Sequence, residues 1–188
     1  MANAFTLKGV TLSFPSLFTP QQFQGQGTAK YSTEMVIKKG SANEKLVMDH
    51  YEQCKKEALA AKKLKPSSVT PLIKQPGGKG ILMDCDEDPE KYDPKVFGGC
   101  WIMRASCTKK PIVIDRYHSP ISDADDEIYG GCVADVNVNI YPYNNVVQGI
   151  TTGLNGVMKT GDGERLGGGR PSVDQMFGEA AESDDLYD

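Results

Sequence analysis

Residues 132–143 read CVADVNVNIYPY, and their alternation decides the fold class. Cys132, Ala134, Val136, Val138 and Ile140 fall on one face; Asp135, Asn137, Asn139 and Tyr141 fall on the other. Side chains of a strand point to opposite faces in turn, so the apolar set must face a core. The second face looks to solvent, yet it carries two amides and an aromatic ring. After a short YNN turn, VVQGITTGLNGVM (146–158) reads as a final strand, its glycines marking bulges or sharp bends.

Upstream, FTLKGVTLSF (5–14) is a strand that stops at Pro15, and 15–30 is expected to be a long loop. KYSTEMVIKK (30–39) is a second strand with Tyr31, Thr33, Met35 and Ile37 on one face, ended by Gly40. Ser41 followed by Glu44 opens a helix over 43–64 with a capping box. Val47, Tyr51, Cys54, Ala58, Ala61 and Leu64 make its apolar stripe; Lys45, Asp49, Glu52, Lys56 and Lys63 make a solvated opposite face. Residues 65–99 hold too many Pro and Gly for regular structure and read as an insertion of surface loops. CWIMRASC (100–107) and KPIVID (110–115) follow as a hairpin or one bent strand around Lys109–Lys110. The class is mainly β with a minor α component: a partly open barrel of five or six strands with one main helix. Periodicity leaves an OB-type barrel and a β-sandwich both open.

The length, 188 residues with 39% hydrophobic and 24% charged, fits one domain with arms. That division is a body over 1–170 and a flexible acidic tail over 171–188. No apolar run approaches a membrane span and the start lacks a signal-peptide pattern, so the host cytoplasm is the expected location. The five cysteines include no CxxC pair and read as reduced core residues. The net charge of -4 is unevenly spread. Residues 30–80 hold eleven Lys against five acids, 84–93 swing to -5, and the last eleven residues carry five carboxylates with no base. Charge segregated in this way attracts polyanions at one place and competes with them at another.

No nucleotide-binding glycine motif, nucleophile elbow or ligand-like histidine pair is present. Two acidic clusters, Asp84, Asp86, Glu87 and Asp88, and Asp115 with Asp123, Asp125 and Asp126, have the chemistry of a Mg²⁺-dependent nuclease but sit in loops. Neither catalysis nor a cofactor is expected. The stronger signal is cations beside aromatics, the combination that binds single-stranded nucleic acid through phosphates and stacked bases. The candidates are Lys30, Tyr31, Lys38, Trp101, Arg104, Lys109, Lys110, Arg116, Tyr117, Asn139, Tyr141 and Tyr143. Tyr141 stands out because its neighbours at two-residue spacing are polar, whereas Tyr31 and Trp101 share faces with Met35 and Met103.

Gly131–Cys132, the turn Tyr141–Asn145, Gly153–Val157 and the triplet Gly167–Gly169 together resemble a family of bacteriophage single-stranded-DNA-binding proteins. The resemblance implies an OB fold, binding without sequence preference, and work in phage DNA replication, recombination or repair. It also implies a flexible acidic C-terminal tail. The charge of that tail, Glu179, Glu182, Asp184, Asp185 and Asp188 with Tyr187 among them, leads us to expect that it competes with DNA for the basic groove and recruits replication or recombination proteins. A phage structural or adaptor protein is the alternative. Homo-oligomerisation is left open.

Overall fold

A computed structural model describes residues 4–166; the acidic tail residues named above lie outside them. The strands are β1 (Ala4–Phe23), β2 (Gln26–Lys38), β3 (Leu82–Asp84), β4 (Cys100–Cys107), β5 (Ile112–Ile114), β6 (Val133–Asn144) and β7 (Gln148–Gly161). Helices α1 (Ala42–Ala60) and α2 (Pro94–Phe97) accompany them. Pairing runs β3-β4-β2-β1-β6-β7-β5, and a parallel contact of β4 with β7 joins the row into a ring. Five strands, β1, β2, β4, β7 and β6, thus close a barrel, with β3 and β5 added outside. This is the OB connectivity, and closure excludes the sandwich.

The alternation in β6 holds residue by residue. Cys132, Ala134, Val136, Val138 and Ile140 are fully buried, packed with Leu7, Leu12, Met35, Ile37 and Met103 from the facing strands. The Ser41 cap is as expected, its Oγ accepting the Glu44 N–H at 3.3 Å; the Glu44 carboxylate accepts from Gly40 N–H, one residue before the cap, because Ser41 N–H already donates to Lys38 O. Val47, Tyr51, Cys54 and Ala58 bury its stripe.

Three expectations change. The stretch 15–30 is a β-hairpin, not a loop, with its turn at Gln24–Gly25, both at positive φ. Register shifts after Ser13 and Ser16 absorb Pro15 and Pro20, which cannot donate to a regular ladder. Segments 100–107 and 112–114 do not pair with each other; β4 pairs with β2 and β7, and β5 lies parallel to β7. Within the insertion, β3 pairs with β4, and Tyr92, Cys85 and Ile102 form a second small core on the outer side of the sheet.

Gly131 pins the start of β6. Its N–H donates to Leu12 O at 2.8 Å, its φ is +112°, and an added Cβ would stand 1.9 Å from Glu164 O. Gly131→Ala therefore meets both backbone strain and a backbone wall. It is expected to cost at least about 1–3 kcal/mol in urea unfolding; an unchanged midpoint would show that the 163–166 exit is not fixed against the barrel.

Candidate nucleic-acid interface

The register brings four strands together at one place. Tyr31 pairs with Cys107, Ser106 with Gly153, and Gly153 with Asn139. Outward side chains from the start of β2, the end of β4, the middle of β7 and the end of β6 therefore share a surface. The linker 108–111 forms one wall of a groove there, about 560 Å³ in volume, lined among others by Lys30, Lys109, Lys110, Asn139, Tyr141 and Asn155. Five of the sequence candidates meet in it.

Gly153 makes this surface possible. A Cβ at Gly153 would stand 2.3 Å from Asn139 Oδ1 and 3.2 Å from a ring carbon of Tyr141, so its absence lets both side chains lie across β7. Tyr141 is 40% exposed. The Cys107 thiol donates to Lys109 O at 3.0 Å and shapes the turn that carries the two lysines. Among the described residues, Lys30, Lys109 and Lys110 enter no ion pair, whereas Lys8, Lys39, Lys45, Lys159 and Arg165 do. The groove's cations are thus free for an external anion. Beyond it, the outer face of β6 continues as a polar strip: Asn155 Nδ2 donates to Asn137 Oδ1 at 2.8 Å, and Asn137 Nδ2 to Thr6 Oγ1 at 2.9 Å.

The remaining candidates are dispersed. Trp101 is a correction: it is 8% exposed, inside the core, with Lys39 Nζ 4.8 Å from its ring centre, so it offers no free face for stacking. Tyr31 is half-buried on the inward side of β2. Arg104 is exposed on β4, with Nη2 3.4 Å from Ser32 Oγ. Lys38 lies at the opposite end of β2, opposite Cys100. Arg116 and Tyr117 occupy an exposed turn after β5, which runs along β7 from Gly156 to Met158, away from the groove. Tyr143 stands further out on the β6–β7 hairpin. Sequence reasoning took Gly153–Val157 only as a family motif and placed neither Gly153 and Asn155 nor Thr151 in the site.

The acidic clusters are structural in their contacts. Lys39 Nζ holds Asp84 at 2.6 Å and Asp86 at 2.7 Å. Those bonds push Lys39 above the ordinary lysine range; the Lys39 bond and the Gly99 N–H hold Asp86 below the ordinary carboxylate range. Asp115 Oδ1 accepts the N–H groups of Tyr117 and Ser119, and Asp125 accepts from Ser122. Among the described residues, no group of three His, Cys, Asp or Glu is placed to hold a metal.

The fold and this groove define an OB-fold protein whose open surface combines a ring with unpaired lysines, near the strand faces and loops on which OB folds take oligonucleotides. The chain belongs to the family described as Enterobacter phage Enc34, ssDNA-binding protein, which it matches over residues 3–187. It is 31% identical over 174 residues to protein p50 of Acyrthosiphon pisum secondary endosymbiont phage 1, covering 90% of each chain. Its fold is that of the single-stranded DNA-binding protein from bacteriophage Enc34 in complex with ssDNA: TM-score 0.70, 24% identity, 88% of this chain and 90% of that one. It also matches gp2.5, a single-stranded DNA binding protein encoded by bacteriophage T7, at TM-score 0.58 and 19% identity over 98% of both chains. The phage family expected from the C-terminal motifs is the family found.

One buried group on the same sheet gives a pH test. Glu34 is 9% exposed, and its Oε2 has no hydrogen-bond partner. Burial raises its pKa above the ordinary 4.5, with Lys91 and Arg104 partly opposing. An acid whose folded pKa is raised contributes most below its unfolded value and loses that contribution as pH rises through the folded value. Glu34→Gln is therefore expected to raise the urea midpoint at neutral pH and to match the parent below pH 4.5. A parallel offset at all pH values would assign the effect to packing.

Proposed function

We propose that this protein binds single-stranded DNA without sequence preference, in the groove over the β4–β7 seam. The observation that carries this reading is the convergence of unpaired Lys30, Lys109 and Lys110 with the exposed ring of Tyr141. The lysines take phosphates, releasing counterions, and the ring takes a base. Asn139 and Asn155 supply hydrogen bonds that any base edge or sugar can use. Family membership supports the same ligand, since the family's description names it. Work in phage DNA replication, recombination or repair follows as the role of such a protein.

The acidic tail enters as a tethered competitor. Glu179, Glu182, Asp184, Asp185 and Asp188 carry the charge of a short strand, and Tyr187 imitates a base. Tethered through residues 167–177, the tail acts at an effective concentration of about the millimolar range. Long DNA with many phosphates displaces the tail and frees it for replication or recombination proteins.

Fluorescence titration with labelled oligo-dT tests the groove. The log of affinity should fall with log salt at about 0.7 per neutralised phosphate, and Tyr141→Ala should weaken binding by roughly 1–3 kcal/mol. Salt-independent binding, or full affinity in the folded Tyr141 variant, would overturn the reading. Deleting residues 178–188 should raise affinity, most at low ionic strength where screening is weakest. Equal affinity of the two forms there would leave the tail without a competing role.

A further inference from the structure

Residues 30–80 carry eleven lysines, and the groove uses one of them, Lys30. Three others stand together where α1 ends. The helix stops in a Schellman turn: Lys63 N–H donates to Ala58 O at 2.9 Å and Lys62 N–H to Leu59 O at 3.1 Å, with Lys62 at φ +55°. This stop comes before the expected end at Leu64. It folds Leu64 back into the core at 4% exposure and turns Lys62, Lys63 and Lys65 outward, all exposed. None of the three enters an ion pair among the described residues.

The turn is fixed against the barrel, not free. Lys65 N–H donates to Gln148 Oε1 at 3.2 Å. Thr70 Oγ1 accepts Ile150 N–H at 2.9 Å, and Tyr51 donates its hydroxyl to Thr70 O at 2.7 Å. β7 therefore measures the separation: Gln148 lies beside the lysines, and Thr151, Gly153 and Asn155 line the groove. From Gln148 to Gly153 is about 17 Å of strand. Tyr143 occupies that interval, since it pairs with Gly149 and a Cβ there would stand 2.5 Å from its hydroxyl.

We propose that a DNA strand leaving the groove crosses Tyr143 and continues onto a shelf formed by Lys62, Lys63 and Lys65, which takes phosphates of the same strand. The proposal rests on the function proposed above and extends the site beyond the groove. A single strand is a flexible polyanion, so a second cationic surface on its line of exit gains one counterion release per phosphate held. Unpaired cations and a ring between two cationic surfaces suit that ligand, whereas a folded protein partner would need an apolar centre.

The test compares two oligo-dT lengths on the full chain. An oligomer of about 5 nucleotides fills the groove alone, and one of about 20 reaches the shelf. The variant Lys62→Gln/Lys63→Gln/Lys65→Gln should bind the short oligomer like the parent. On the long one its salt slope should drop by about 2. The double variant Lys63→Gln/Lys65→Gln leaves the left-handed position untouched and should lower the slope by about 1 on the long oligomer only. Parental slopes for both variants on the long oligomer would remove the shelf while leaving the groove intact. If the parent binds neither length, the function itself fails and the shelf with it.

Discussion

A parallel bridge, Ser106 against Gly153, turns a curved sheet into a closed barrel. The Thr152 hydroxyl, donating to Arg104 O across the same seam, reinforces it. Closure shields the inner faces of all five strands and joins β4 and β7 at Ser106 and Gly153, beyond the stretches of those edges that β3 and β5 cover. It also places the end of β4 beside the outward face of β6, which lies on the far side of β7. The groove exists because of that contact, and so does the demand for glycine at 153.

Charge is partitioned around the barrel by use. Lys8 is tied to Asp135, Lys39 to Asp84 and Asp86, Lys159 to Glu127 and Asp162. Lys8 ties β1 to β6, and the other two fasten loops to strands. The lysines of the groove and of the α1 turn have no such partner among the described residues, so their field extends into solvent. Net acidity of the chain therefore says little about its binding surface.

The insertion between α1 and β4 is a scaffold for the sheet's outer side. Its Tyr92 and Cys85 pack on Ile102, while Lys39 anchors its acidic run through Asp84 and Asp86. The acidity that reads as a metal site in one dimension is in three dimensions a set of caps and ion pairs. Carboxylates flanked by backbone N–H groups and a lysine are already satisfied, and desolvating a metal ion there would displace those bonds.

Local patterning determined the strands β2, β6 and β7, the capped start of α1 and the core set Val136, Val138 and Ile140, because period and capping act between neighbours in sequence. It also singled out Tyr141, whose face is polar at every second residue. Tertiary structure alone decided that β1 continues through Pro15, that β4 and β5 never pair, and that Trp101 is core while Arg116 and Tyr117 lie away from the groove. Bulges, strand partners and barrel closure are contacts between residues far apart in the chain, and nothing in the local alternation encodes which strand will stand beside which. Lys30, Lys109 and Tyr141 are legible as candidates in sequence; that they share one groove is a property of the seam between β4 and β7.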